Sequence, residues 1–235
     1  YKTLTPNQDL EGIGGRIEFN TKKATALDEP VLKFRYDTQY NEYSKSGNNP
    51  KYSLTYGDKI TENFGAIFGY TFQSKDIVSN NNEVGYEPWA VDSNGNKYLA
   101  RDWEMRFYDL TREREGMTID MDFEYSPNTS FFANYLFNEY VDDEIRHKDE
   151  YRARNVVESS ITSTSAAYQR ITADKETRKR IETRQIKTQI VGGETNLGDL
   201  NFKFQASNSF AEEADDNNVD AKFRSCLLYT SDAAD

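Results

Sequence analysis

The sequence predicts an all-β fold, about seven antiparallel strands of a larger barrel that crosses a membrane. Three observations predict it. Apolar and polar residues alternate with period two over long segments, as on the two faces of a strand. Aromatics reach 14%, with 16 Tyr and 14 Phe, in a chain only 36% hydrophobic, a balance that favours strands over helices. Connections between the alternating segments are short at one end and long at the other, the asymmetry of outer-membrane barrels. No run of about 18 apolar residues is present, so no spanning helix is expected. A spanning barrel needs none, because each of its strands shows lipid only every second residue. The formal net charge of -11 argues against a nucleic-acid partner.

The strands follow in order. Leu32, Phe34, Tyr36, Thr38 and Tyr40 alternate with Lys33, Arg35, Asp37 and Gln39, predicting a strand over 31–43. Tyr52, Leu54 and Tyr56 continue the pattern over 50–57, and Phe64, Ala66, Phe68, Tyr70 and Phe72 over 62–74. Met117, Ile119, Met121, Phe123 and Tyr125, set against Asp120, Asp122 and Glu124, end a long strand over 99–125, with a bulge expected near Glu115-Gly116. Phe131, Ala133, Tyr135 and Phe137 give a weaker signal over 130–145. The pattern is poor between Ile181 and Gly192, and a strand over 179–196 rests on topology. Leu200, Phe202, Phe204 and Ala206 alternate cleanly over 200–211. Short turns are expected at 57–63, 126–129 and 196–199, and long polar links at 75–97 and about 146–178. A soluble β-sandwich would also alternate, but several of these strands exceed its usual length of about 5–6 residues and suit a tilted crossing. An odd number of strands leaves open edges, which lipid does not tolerate, so the chain is expected to be part of a larger barrel.

The ends of the chain carry expectations of their own. Tyr1-Lys2-Thr3-Leu4-Thr5 has neither a charged n-region nor an apolar h-region, so a start within a longer gene is expected. The ten residues from Cys226 to Asp235 read like the translation of a transposase-derived sequencing adapter, which would place the natural boundary near Arg224 or Ser225. The only Cys lies in that tail, leaving no material for a disulfide or a Cys-based metal site.

A resemblance sharpens the reading. The segment from Lys2 to Ala24, with Gly12-Ile13-Gly14-Gly15 leading to Thr21-Lys22, resembles the last plug segment of TonB-dependent outer-membrane receptors, although Arg16 and Glu18 stand where small or apolar residues are usual. Tyr108–Arg114, Asp142–Arg146, Gly192-Gly193-Glu194 and Leu197-Gly198-Asp199 resemble barrel segments of one subgroup, in matching order and spacing. The resemblance implies the end of a plug domain over 1–26 and the first part of a Gram-negative outer-membrane barrel over 27–225. It also implies a receptor that carries a scarce or bulky solute, of carbohydrate or siderophore type. Its partners would be outer-membrane lipid, the small-molecule or oligosaccharide ligand, and the TonB complex, engaged through a segment upstream of this chain. A passive porin-like barrel would need no plug segment. A soluble secreted β-rich binding protein is the alternative from another class.

Within that frame, Lys33, Arg35, Asp37, Asp120, Asp122 and Glu124 are expected to hydrogen-bond the plug. Tyr86, Trp89 and Trp103 are candidates for stacking on a solute, with interfacial belt or loop packing the favoured alternative. No enzyme, catalytic group, cofactor or metal is expected. His147 is the single histidine, and Asp92–Asn96 lacks the later acidic ligands of a calcium loop and reads as a tight turn. Gly12-Ile13-Gly14-Gly15 lacks the Lys-Ser/Thr pair of a phosphate loop. Asp142, Asp143 and Glu144 read as latches for Arg112, Arg114 or Arg146 rather than as catalytic carboxylates, and Lys175–Arg184 as a solvated segment leading into a strand.

Overall fold

The structure, a computed structural model, describes residues 23–47, 49–85, 90–98 and 102–225. Seven strands form one antiparallel sheet in strict chain order: β1 (Val31–Thr38), β2 (Pro50–Thr61), β3 (Phe64–Val84), β6 (Asp102–Ser126), β7 (Thr129–Val156), β8 (Tyr168–Leu197) and β9 (Leu200–Arg224). A separate hairpin, β4 (Ala90–Val91) and β5 (Lys97–Tyr98), sits in the β3–β6 link. The sheet is open, with β1 and β9 as its edges. The seven expected strands are therefore present, and no α-helix occurs among the described residues.

Several expected boundaries are corrected. β1 ends at Thr38 rather than 43, because the Asn41 side chain gathers the Tyr43 and Ser44 amides into a turn. β2 runs on to Thr61, whose hydroxyl takes the amides of Asn63 and Phe64 and tightens the turn. The 75–97 and 146–178 links are largely strand: β3 continues to Val84, β7 to Val156, and β8 begins at Tyr168. Lys175–Arg184 is accordingly strand and not loop. The register runs unbroken through Glu115-Gly116, and the irregularities fall instead at Lys59/Thr61, Glu124/Ser126 and Lys179/Ile181. The asymmetry of the connections survives. Two-residue turns at 62–63, 127–128 and 198–199 face links at 39–49, 85–101 and 157–167.

Register fixes which residues share a face. One continuous row runs Lys33, Thr55, Gly69, Thr118, Leu136 and Thr188; another runs Val31, Gly57, Ile67, Asp120, Asn134 and Ile190. This is the polar face. The opposite, aromatic face carries rows such as Leu32, Tyr56, Phe68, Ile119 and Tyr135, and Phe64, Phe123, Phe131, Gly193 and Phe204. The aromatic rows crowd toward the short-turn end. Beyond Glu115 and Glu139, the long ends of β6–β9 carry polar residues on both faces.

Burial is inverted relative to a water-soluble fold. The buried apolar residues are few (Ala24, Leu27, Leu110, Ala153 and Ile161), whereas Asp120, Asp142, Glu144, Glu150, Asp174 and Glu182 are buried. The aromatic face is open, with Phe34 at 68% exposure and Phe204 at 55%. Among the described residues only the polar face is covered, by a 3-10 turn at Ala24–Ala26 and the following Leu27. That turn fits because Gly65 and Gly57 offer bare backbone: a Cβ on Gly65 would lie 2.7 Å from the Ala24 carbonyl carbon. Gly65→Val is expected to displace the turn and destabilise the fold by about 1–3 kcal/mol. Gly47→Ala, whose Cβ would meet nothing closer than 3.5 Å, should stay within about 0.5 kcal/mol. Equilibrium unfolding of both variants beside the unsubstituted protein checks the difference.

Candidate functional site

The polar face divides into two regions. Near the short turns, β6 points Asp120, Asp122 and Glu124 across the sheet toward the chain that arrives from residue 23. The Ala24 amide donates to Asp122 Oδ2 at 2.6 Å, and the Thr25 hydroxyl donates to Glu124 Oε1 at 3.1 Å. Asp120 accepts from Asn134 Nδ2 at 2.5 Å. Lys33 and Asp120 line, with Leu27 and Ile67, a depression of about 360 Å³ beside that segment. Arg35 and Asp37 pair with each other at 2.7 Å on the exposed edge strand. Of the six residues expected to contact a plug, Asp122 and Glu124 bond Ala24 and Thr25. Lys33 and Asp120 adjoin that segment, and Arg35 and Asp37 stand apart.

Of the three solute-stacking candidates, Trp103 falls within the described residues. Trp103 lies on the aromatic side of β6, opposite Val84 and Tyr151, its ring 6.0 Å from that of Tyr151. Tyr86 and Trp89 lie outside the described residues, as do Gly12-Ile13-Gly14-Gly15 and the adapter-like tail. Asp92–Asn96 forms the tight turn of the β4–β5 hairpin, with Asp92 Oδ1 accepting the Asn94 and Asn96 amides and Gly95 at φ +81°. His147 lies on the aromatic face, its Nδ1 3.0 Å from the Thr177 hydroxyl. Among the described residues no cluster of His, Cys, Asp or Glu could hold a metal ion.

Beyond the aromatic rows the polar face becomes a lattice of alternating charge. Every second residue of β8 from Asp174 to Arg184 takes part, with partners on β7, on β9 and within β8 itself. Arg184 bonds Glu182 at 2.6 Å and Glu213 at 3.3 Å, and Arg180 bonds Glu182 at 2.9 Å and Glu144 at 3.8 Å. Arg178 meets Asp220 at 2.7 Å. Glu176 holds Arg146 at 2.6 Å and Lys148 at 3.2 Å. Asp174 takes the Arg224 guanidinium through two bonds, at 2.8 and 3.0 Å, with Lys222 at 3.2 Å and Arg152 at 3.3 Å. The expected latch of the acidic cluster is present in part: Arg112 bonds Asp142 at 3.3 Å, and Glu144 finds Arg180 instead of Arg146. Asp143 pairs in register with Thr111 and Ile181 on the other face.

The electrostatics follow from these contacts. Asp174 is 1% exposed, yet its hydrogen bond from Arg224, with Lys222 alongside, holds its carboxyl well below the usual carboxylate range. Burial acts to raise the Glu176 carboxyl, but Lys148 and Arg146 outweigh it and bring it down. Glu150 is lowered in the same way by Arg152 and Lys148. These three carboxyls are held charged, which suits structure and binding. Sequence reasoning missed the lattice because its charges lie on separate strands, β7, β8 and β9, and those strands bring them together only through the register.

No family model, curated protein or solved structure matches this chain.

The lattice has a pH signature. The Asp174 carboxyl is lowered on folding, so its stabilisation is complete above its unfolded value of about 3.9 and is lost as pH falls through the lower native value. Asp174→Asn should cost about 1–3 kcal/mol at neutral pH, less than a fully buried pair because Arg224 and Lys222 are partly solvated. It should also flatten the loss of stability below pH about 4. Unfolding followed from pH 7 to pH 2 checks both.

Proposed function

We propose that this chain belongs to a TonB-dependent outer-membrane receptor, which takes up a scarce or bulky solute across the Gram-negative outer membrane. In this reading the seven strands form part of the barrel, the aromatic face lies against lipid, and the polar face lines the interior. Residues 23–27 are the exit of the plug. The observation that carries the reading is the inverted burial: carboxylates are enclosed while aromatic-face residues such as Leu32, Phe34, Phe123, Phe131, Phe202 and Phe204 stay exposed.

The dimensions support it. From Phe64 to Phe72 the aromatic stripe of β3 runs about 26 Å along the strand, or about 20 Å of depth at a tilt of about 40°, the scale of a barrel's apolar band. The polar ends of β6–β9 would then stand well clear of the bilayer on the side of the longer links, where a solute first arrives. Lys187 is the cation within the band; it stands 5.9 Å from the centre of the Phe137 ring, and its stem can run along the apolar surface.

Two other readings fit less of what is seen. A passive porin-like barrel leaves the Ala24–Leu27 segment, docked on Asp122, Glu124 and the bare Gly65 backbone, without a role. A soluble β-rich binding protein would need a second layer over the aromatic face, and among the described residues none covers it.

Phe68→Arg in the full-length membrane protein tests the assignment. An arginine facing lipid near the midplane costs about 2–4 kcal/mol, so assembly into the outer membrane should fall sharply. Lys33→Met, on the polar face, should assemble normally. Equal yields for Phe68→Arg and the unsubstituted protein would overturn the reading.

A further inference from the structure

At the far end of the charge lattice, where β7, β8 and β9 finish, lies a hollow of about 560 Å³ lined by Arg152, Arg154, Arg170, Arg224, Thr172, Asn155 and Ser225. Its lining holds four arginines and no carboxylate, within a chain of net charge -11. The geometry has a local cause. Asn155 adopts φ +56°, and the β7–β8 ladder skips from the Arg154–Arg170 pair to the Val156–Tyr168 pair. The two strands loosen there and leave room among the guanidiniums.

Three of the arginines are already held. Arg154 bonds Asp102 at 3.3 Å, Arg152 bonds Glu150 at 2.6 Å, and Arg224 is fixed on Asp174. These contacts sit at the margins and orient the forks without filling the hollow. Arg170 is different: among the described residues its side chain makes no hydrogen bond or ion pair. The nearby cations Arg152, Arg154, Arg170, Lys222 and Arg224 meet the carboxylates Asp102, Glu150, Asp174 and Glu176, which leaves the region one positive charge in surplus. Planar guanidinium forks match carboxylate and phosphate oxygens in pairs, and a space of this size takes a molecule of a few rings.

We infer that this hollow is a binding site for a small solute bearing several carboxylates or phosphates, with Arg170 as its free anchor. The inference rests on the receptor reading and narrows its solute to an anionic class. The hollow lies on the polar face, turned away from the aromatic rows, so in that reading a lipid headgroup in the bilayer does not reach it.

Calorimetric titration of the full-length membrane protein in a neutral detergent tests it, with trigalacturonate, inorganic tripolyphosphate and the neutral maltotriose as probes. At least one anion should bind, maltotriose should not, and raising salt from about 0.05 M to about 0.5 M should weaken binding several-fold. Arg170→Glu should lower the affinity at least tenfold, while Arg170→Lys should keep much of it. Among the described residues the Arg170 side chain has no bond to lose, and Arg170→Glu gains an opposite charge across the strand in Arg154, so both variants should be at least as stable as the unsubstituted protein in unfolding. Binding of tripolyphosphate alone would place phosphate in the site, and binding of trigalacturonate would place carboxylated sugars there. Absence of both anions, equal binding of maltotriose, or an unaltered affinity in Arg170→Glu would overturn the inference. The receptor reading would survive that outcome if the protein still partitions with the outer membrane and the apolar-face variant still fails to assemble.

Discussion

A single layer of β-sheet has two faces to satisfy, and in this chain the two call for different surroundings. One presents Lys, Asp, Glu, Arg and Thr in register across the strands, partly covered by the chain around Ala24. The other presents Phe, Tyr, Met and Ile with nothing over it among the described residues. The backbone ladder joins the two so closely that neither can be changed alone, because a shift of one residue would exchange them. Everything else in the fold follows from that coupling. The strands must be long, the turns at the aromatic end must be tight, and the hydrophobic effect must be met by something outside the described residues. Hydrocarbon is the partner we favour.

The charge lattice is the second consequence. Where the dense aromatic rows stop, β6–β9 continue with scattered apolar contacts such as Trp103 against Tyr151, and a bare hairpin of that length is marginal in water. Cross-strand and diagonal ion pairs replace the missing core. A single exposed pair contributes little, but Asp174, Glu176 and Glu150 are enclosed and each meets more than one cation. Such a network fixes the register of the long ends and keeps cationic forks in place for a solute, without a closed hydrophobic centre.

Much of this was legible from residue order alone. The Leu32 to Tyr36 and Met117 to Phe123 alternations mark the two faces, because the residues on one side are apolar or aromatic and those on the other polar. β8 was illegible for a physical reason. It turns Lys187 and Gln189 to the aromatic side and Ile186 and Ile190 to the polar side, so its period is scrambled although its register is regular. The strand extensions were misjudged because Lys, Arg, Asp and Glu on both faces resemble a solvated loop until cross-strand partners are known. The arginine hollow had no signal at all. Arg152 and Arg154, Arg170, and Arg224 come from three strands and meet only after pairing.

The most direct test compares neighbouring residues on opposite faces. Nitroxide labels at Phe68→Cys and Ile67→Cys, in the full-length protein reconstituted into bilayers, would be probed with oxygen and with a water-soluble nickel chelate. A face on hydrocarbon predicts that the label at 68 relaxes chiefly with oxygen, while the label at 67, turned inward, does not. The same response at both positions, or nickel reaching 68 more readily than 67, would contradict the account.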